Sequence, residues 1–282
     1  MSVAESTLEA TGGVRWDGVA GRVDVRGLAR QSARLAGRAA RSVAGLLLLA
    51  VVWEAAPRLG VVDAVFLPPL HTVLARWWEL VLTGDIWAHT VASLLRAGAG
   101  FGLAAVVALP LGLVIGWFRP VADLLNPVLT VFWNTAVLAL LPVFVLVLGI
   151  GEESKIAVVL YACLWPMLVN TVSGVRAVDP LLVKSARSMG LGSVRLFQKV
   201  ILPGAVPAVF TGVRLSGAAS VLVLVAAEMV GAREGLGFLI VNAQSNFAIS
   251  DMYAGIITVS TLGVGLNGGL LALERRFSRW RT

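Results

Sequence analysis

The chain has one cysteine, Cys163, and two histidines, His71 and His89. A single cysteine excludes an intrachain disulfide and a thiolate metal cluster, and neither histidine stands at metal-ligand spacing. The P-loop pattern G-x-x-x-x-G-K-[ST] does not occur, so ATP is not bound and hydrolysed here by that route. Serines and histidines are too separated along the chain to assemble a hydrolytic triad, which argues against an enzyme. Charge is scarce as well. Only 14% of residues are charged against 58% hydrophobic, where soluble domains carry about a quarter charged. These shortages point to an all-α integral membrane protein.

The 282 residues carry a net charge of +7. Nucleic acid would call for a basic stripe interleaved with aromatics, but here the cations sit at the edges of apolar blocks, which is the pattern of membrane topology. Gly263, Gly265 and Gly268 satisfy the letter of the dinucleotide fingerprint G-x-G-x-x-G. They lie inside an apolar helical run with no preceding strand, so close packing at Gly265/Gly269 is the expected explanation. The same expectation attaches to Gly98/Gly102 and Gly112/Gly116.

Residues 1–42 are polar and basic with no apolar core, and are expected to form a retained cytoplasmic tail. Arg22, Arg26, Arg30, Arg34 and Arg38 recur every four residues. That spacing suits either an amphipathic helix on anionic membrane lipid or a solvated arm that follows the positive-inside rule. Residues 43–275 are expected to hold six spans, near 42–59, 91–117, 121–148, 155–175, 208–230 and 253–273, the third preceded by a re-entry helix. Residues 60–90, with Trp77, Trp78 and Trp87, have the composition of an external interfacial helix, and 151–154 that of a short outer turn. Residues 276–282 form a second basic tail. Of the 23 Lys and Arg residues, only Arg58, Arg76, Arg96, Lys155 and Arg233 then fall outside, which sets both termini in the cytoplasm.

The longest polar, basic interruption is the loop 179–203 between the fourth and fifth spans. Asp179 can cap a helix with Pro180 in its first turn, Gly190 can end it, and Ser193–Val200 can form a short second helix. Pro203 and Pro207 then act as stops before the chain re-enters the membrane. Polar residues near the bilayer are candidates for the pathway or its gate, because they are costly there. Glu228 fits a structural ion pair or gate contact at the outer mouth, or substrate contact. Arg96 fits its partner or an anion-attracting charge. Asn134, Asn170 and Gln244 are possible liners, each with interhelical hydrogen bonding as the plainer role. Glu54 reads as merely solvated.

Gly190, nine residues, Val200, one residue, then Leu202-Pro203 resembles the loop signature of bacterial ABC-importer permeases, EAA-x3-G-x9-I-x-L-P. Lys184 and Ser185 replace Glu and Ala there, and only Ala186 keeps its place. WEAAPRLG (53–60), FLPPLHTV (66–73), SLLRAGAGF (93–101), PLGLVIGW (110–117), GVRAVDPLL (174–182) and VAAEMVGAREGLGFLI (225–240) look like the nitrate/sulfonate/taurine-type permeases. The resemblance implies a homodimer in the bacterial cytoplasmic membrane that works by alternating access. Two separate ATPase subunits would bind the ATP and Mg, with no cofactor in this chain, and an external binding protein would deliver a small anion such as a sulfonate, taurine or nitrate. It makes 179–203 a coupling loop, with Ala186, Ser193, Leu202 and Pro203 in its frame and Gly190 as its turn. Val194, Leu196 and Phe197 become packing knobs, and Arg195 a polar clamp to the ATPase. The alternatives are a heterocyclic amine or vitamin precursor as cargo, or a stand-alone carrier or channel.

Overall fold

The structure, a computed structural model, describes residues 44–277. The expectations for the N-terminal tail and for most of 276–282 fall outside the described residues. Packing divides the chain after Trp53 into two units. Of the first, the described part is helical, and this helix, α1, covers residues 44–58.

The second unit is built of helices alone among the described residues. Leu70–Thr83 (α2) and Asp85–Trp117 (α3) meet at Gly84, whose φ of 89° is the left-handed value that ends one helix and starts the next. Trp87 therefore lies in the first turn of α3, and the helix expected over 60–90 ends earlier than the tryptophan pattern suggests. Arg119–Trp133 (α4) and Leu141–Leu148 (α5, after a 3-10 turn at Val137–Leu140) form a pair bent by 86°. The Asn134 side chain donates to the Thr130 carbonyl at 2.7 Å, adding to the bond from its own backbone N–H at the end of α4.

Glu152–Arg176 (α6) follows, so Glu152–Ser154 are helix rather than turn, with two carboxylates placed at the positive helix start. Pro180–Ser188 (α7) is capped by Asp179, which accepts from the Leu181 N–H at 2.8 Å, and Gly190 at φ 81° ends the turn that follows it. Ser193–Leu196 (α8) does not stop at the prolines. It passes through a π turn, Phe197–Ile201, into Leu202–Glu228 (α9). A proline in the first turn of a helix gives up no needed N–H, and the wide turn ahead of Pro203 admits its ring. Leu236–Ser245 (α10) and Ile249–Phe277 (α11) complete the order.

Four described helices are long and apolar enough to cross a bilayer: α3, α6, the α8–α9 run and α11; the bent pair makes up to five. The core is the contact of α3 with α6 and of α6 with α9. Gly100, Ala104, Ala108, Gly112 and Gly116 recur every four residues along α3, and the two alanines are fully buried. A Cβ on Gly112 would come within 2.7 Å of Thr171 Cβ, and one on Gly116 within 2.6 Å of Val175 Cβ. The backbones approach because nothing stands between them. The Gly112/Gly116 expectation holds, but Gly98, Gly102, Gly265 and Gly269 meet nothing within 4 Å. Spacing by four marks a stripe without saying which stripe faces a neighbour. Gly100, outside both expected pairs, is the one that meets Val159.

Candidate functional site: a buried charge cluster and a docked helix at the opposite end

Arg96 lies one turn after Ser93 on α3, and both point at the C-terminal end of α9. The Arg96 guanidinium donates to Glu228 Oε1 at 2.8 Å and to the Glu234 carbonyl at 2.7 Å. Its Nη2 donates to Glu152 Oε1 at 2.8 Å, and its Nε donates to the other oxygen of the same carboxylate. Arg96 and Glu228 are only 3% and 1% exposed. Burying either charge alone is expensive, so the fork of donors and the added hydrogen bonds are what make the burial tolerable.

Glu228 also accepts from the Gly237 N–H at 3.0 Å, and the Ser93 hydroxyl lies 2.9 and 2.8 Å from its two oxygens. Ser93 Oγ in turn accepts from the Leu236 N–H at 2.9 Å. The carboxylate thus sits at the amino end of α10, where backbone donors are unengaged by the helix. Glycine makes the approach possible: a Cβ on Gly235, at φ 117°, would fall 2.3 Å from Glu228 Oε1. Lys155, buried beside the cluster, donates to the Gly151 carbonyl at 2.8 Å.

Of the alternatives for Glu228 and Arg96, the geometry provides the ion pair. Ser93, Glu152 and the Gly235–Gly237 cradle escaped sequence reading. Glu152 carried a usable signal, since a carboxylate in the first turn of a span is costly unless a cation meets it.

The other pathway candidates do not join this cluster. Asn134 is an exposed cap on α4. Asn170 donates to the Pro166 carbonyl at 2.8 Å within its own helix rather than across helices. Gln244 is exposed on α10. Glu54 is not merely solvated: it accepts from the His71 N–H at 3.2 Å, meets His71 Nδ1 at 2.8 Å and pairs with Arg58. On α2, the hydrogen bonds that Arg76 donates to Asp251 and Glu79 hold its guanidinium above its ordinary pKa; the Asp251 pair and the bond from Trp77 Nε1 to Thr258 at 2.9 Å fix α2 to α11.

At the opposite end, the residues of the loop separate into two faces. Leu196 is 1% exposed, and the Phe197 ring meets Trp117 edge-on at 5.3 Å. Phe197, Ile201 and Ala205 pack with Leu113 of α3, Val175 of α6 and Val178 just beyond it. Ala186 is buried, and Leu202 and Pro203 are half-buried. Val194, at 70% exposure, and its neighbours Ser193 and Arg195 face outward. Leu196 and Phe197 are thus turned toward their own chain, while Ser193, Val194 and Arg195 are left exposed.

Residues 108–279 match the family described as binding-protein-dependent transport system inner membrane component. The taurine transport system permease protein TauC of Escherichia coli is 32% identical, over 85% of this chain and 89% of that protein. A Bacillus subtilis permease named for aliphatic sulfonates transport, SsuC, is 35% identical over 84% and 87%. The nitrate import permease protein NrtB of Synechocystis is 31% identical over 83% and 87%. Among solved structures, the MetNI methionine ABC transporter in an inward-facing conformation resembles the chain with a TM-score of 0.57 at 16% identity. The likeness covers 66% of this chain and 93% of that one, and speaks to the fold.

Proposed function

From a chain that belongs to the family of binding-protein-dependent transport system inner membrane components, we propose a permease whose Ser193–Ile201 segment receives the stroke of a separate ATPase. The protein is a multi-pass transport subunit of the sulfonate, taurine and nitrate ABC permease group. In our reading it has six spans: α1, α3, the α4–α5 pair, α6, α9 and α11. Both termini are cytoplasmic. Residues 1–42 and 276–282 are basic tails on either side of a permease domain at 43–275, and membrane lipids meet the first tail.

Two copies enclose one pathway, two ATPase subunits hold the ATP and Mg, and an external binding protein delivers the cargo. Closure of the ATPase pair moves the coupling loop 179–203, Gly190 keeps its two helices at a fixed angle, and the cavity opens outward. Hydrolysis relaxes the pair and opens it inward. The Arg96–Glu228 cluster holds the outer ends of α3, α6 and α9 to α10 and acts as the outer gate frame.

The observation that carries the coupling role is the two-faced helix: Leu196 is buried and Phe197 locks it to Trp117 of α3, while Val194 and Arg195 are free to be gripped. A force on the exposed face is thereby passed to the spans. Val194→Asp should leave membrane insertion intact while lowering uptake by roughly tenfold or more and releasing the ATPase on purification, as a charge in a packed interface does. Wild-type uptake and wild-type ATPase recovery in that variant would overturn the assignment.

A further inference from the structure

Resting on the importer reading above, we propose that the cavity between α4 and α6 is an anion subsite on the inner half of the pathway, shaped for a small aliphatic sulfonate. The cavity measures about 260 Å³. That is at or below the low end of the roughly 300–1,000 Å³ typical of small-molecule sites, so its occupant has few heavy atoms. Asn126, Ser173 and Arg176 give it three polar groups able to donate, on two helices, and Leu129, Val169 and Trp133 give it an apolar wall.

Among the described residues, no hydrogen bond or ion pair engages the side chains of Asn126, Ser173 or Arg176, whereas Arg76, Arg96 and Arg214 are each met by a carboxylate. Thr130, which also lines the cavity, has its hydroxyl turned to its own helix, donating to the Asn126 carbonyl at 2.9 Å. Asp123, one turn back on α4, does not line the cavity.

The Arg176 guanidinium, the Asn126 amide and the Ser173 hydroxyl line one space and offer donors for the three oxygens of a sulfonate. One guanidinium balances one charge, which favours a monoanion over sulfate or phosphate and excludes a cationic amine. The apolar wall adds what nitrate cannot use, a surface for an alkyl tail. Sulfonate passing inward would exchange water for these donors and leave again, because Asn126, Ser173 and Arg176 are all exposed.

The full chain in lipid nanodiscs would be titrated calorimetrically with ethanesulfonate, nitrate and phosphate. Ethanesulfonate should bind saturably, with nitrate and phosphate roughly tenfold or more weaker. Arg176→Gln should lose roughly tenfold or more in ethanesulfonate affinity, Arg176→Lys somewhat less, and Ser173→Ala about threefold, in line with charge-assisted and neutral hydrogen bonds. Absence of saturable binding, phosphate binding as tight as ethanesulfonate, or unchanged affinity in Arg176→Gln would overturn the subsite. Should Arg176→Gln fail to fold, the Asn126→Leu/Ser173→Ala double variant decides instead: wild-type affinity there overturns it. Recovery of the ATPase is scored separately. A chain that brings down its ATPase yet binds no ethanesulfonate defeats the subsite alone. One that binds ethanesulfonate without recruiting any ATPase defeats the importer reading and leaves the subsite standing.

Discussion

Arg96 and Glu228 form a buried pair whose members are unequal. Arg96 has Glu152 and Glu234 as further acceptors, both more than half exposed, whereas Glu228 is closed off from water. Truncating the arginine strands the glutamate, which ordinarily costs about 3–5 kcal/mol. Arg96→Ala should therefore lower stability by that order in a detergent-unfolding series, and Glu228→Ala by less. The double variant should recover part of the sum, with a coupling of at least about 1.5 kcal/mol. Strictly additive losses would mean that the two side chains do not depend on one another. Both residues were visible in the sequence as polar groups near the ends of apolar runs, with pairing to each other as one alternative, but their further partners were not. Ser93 and the amides of Leu236 and Gly237 are ordinary residue types whose role arises from being brought to one carboxylate.

At the level of elements, the α3–α6 contact is the joint on which the rest is hung. Gly112→Val would drive a side chain into Thr171 and toward the Leu168 carbonyl, 3.1 Å from its Cβ, where backbone cannot yield. A loss of about 1–3 kcal/mol or more is expected from overpacking. Gly102→Val, whose Cβ meets nothing within 4 Å, should change stability by about 0.5 kcal/mol or less. Thermal unfolding followed by tryptophan emission distinguishes the two, and equal effects would refute the stripe at 100, 104, 108, 112 and 116. The helix–glycine–helix grammar of the loop was legible because caps and left-handed glycines act over a few residues: Asp179 caps and Gly190 turns as their types require. The proline stop was not legible. Whether Pro203 ends a helix depends on the hydrogen-bond register before it, and the π turn removes the conflict.

For the whole molecule, the proposed six-span topology makes an accessibility pattern that labelling can read. Cys163 is buried, with its thiol donating to the Ser216 carbonyl at 3.3 Å, and burial in a span makes it a poor target for water-soluble reagents. In a Cys163→Ala background, a cysteine at Arg233 should react with an impermeant maleimide from outside intact cells. Cysteines at Met189 or Arg279 should react only after lysis. Labelling of Arg279→Cys in intact cells would remove one span from the six and invert the C-terminal half.

Composition and charge placement by themselves determined that the chain is an all-helical membrane protein and which interruption between its spans is the polar, basic one. Both follow from transfer free energies, which each residue carries with it wherever it sits. Motif spacing similarly determined the family, since Gly190 and Leu202-Pro203 keep their separation in any conformation. Tertiary structure alone decided which faces are used: that Leu196 and Phe197 turn inward while Val194 turns out, that Gly100 and not Gly98 meets α6, and that Glu152 and Ser93 reach the Arg96–Glu228 pair. Those outcomes depend on helix rotation and on which element lies opposite, and a difference of one residue, about 100° around the axis, changes the answer.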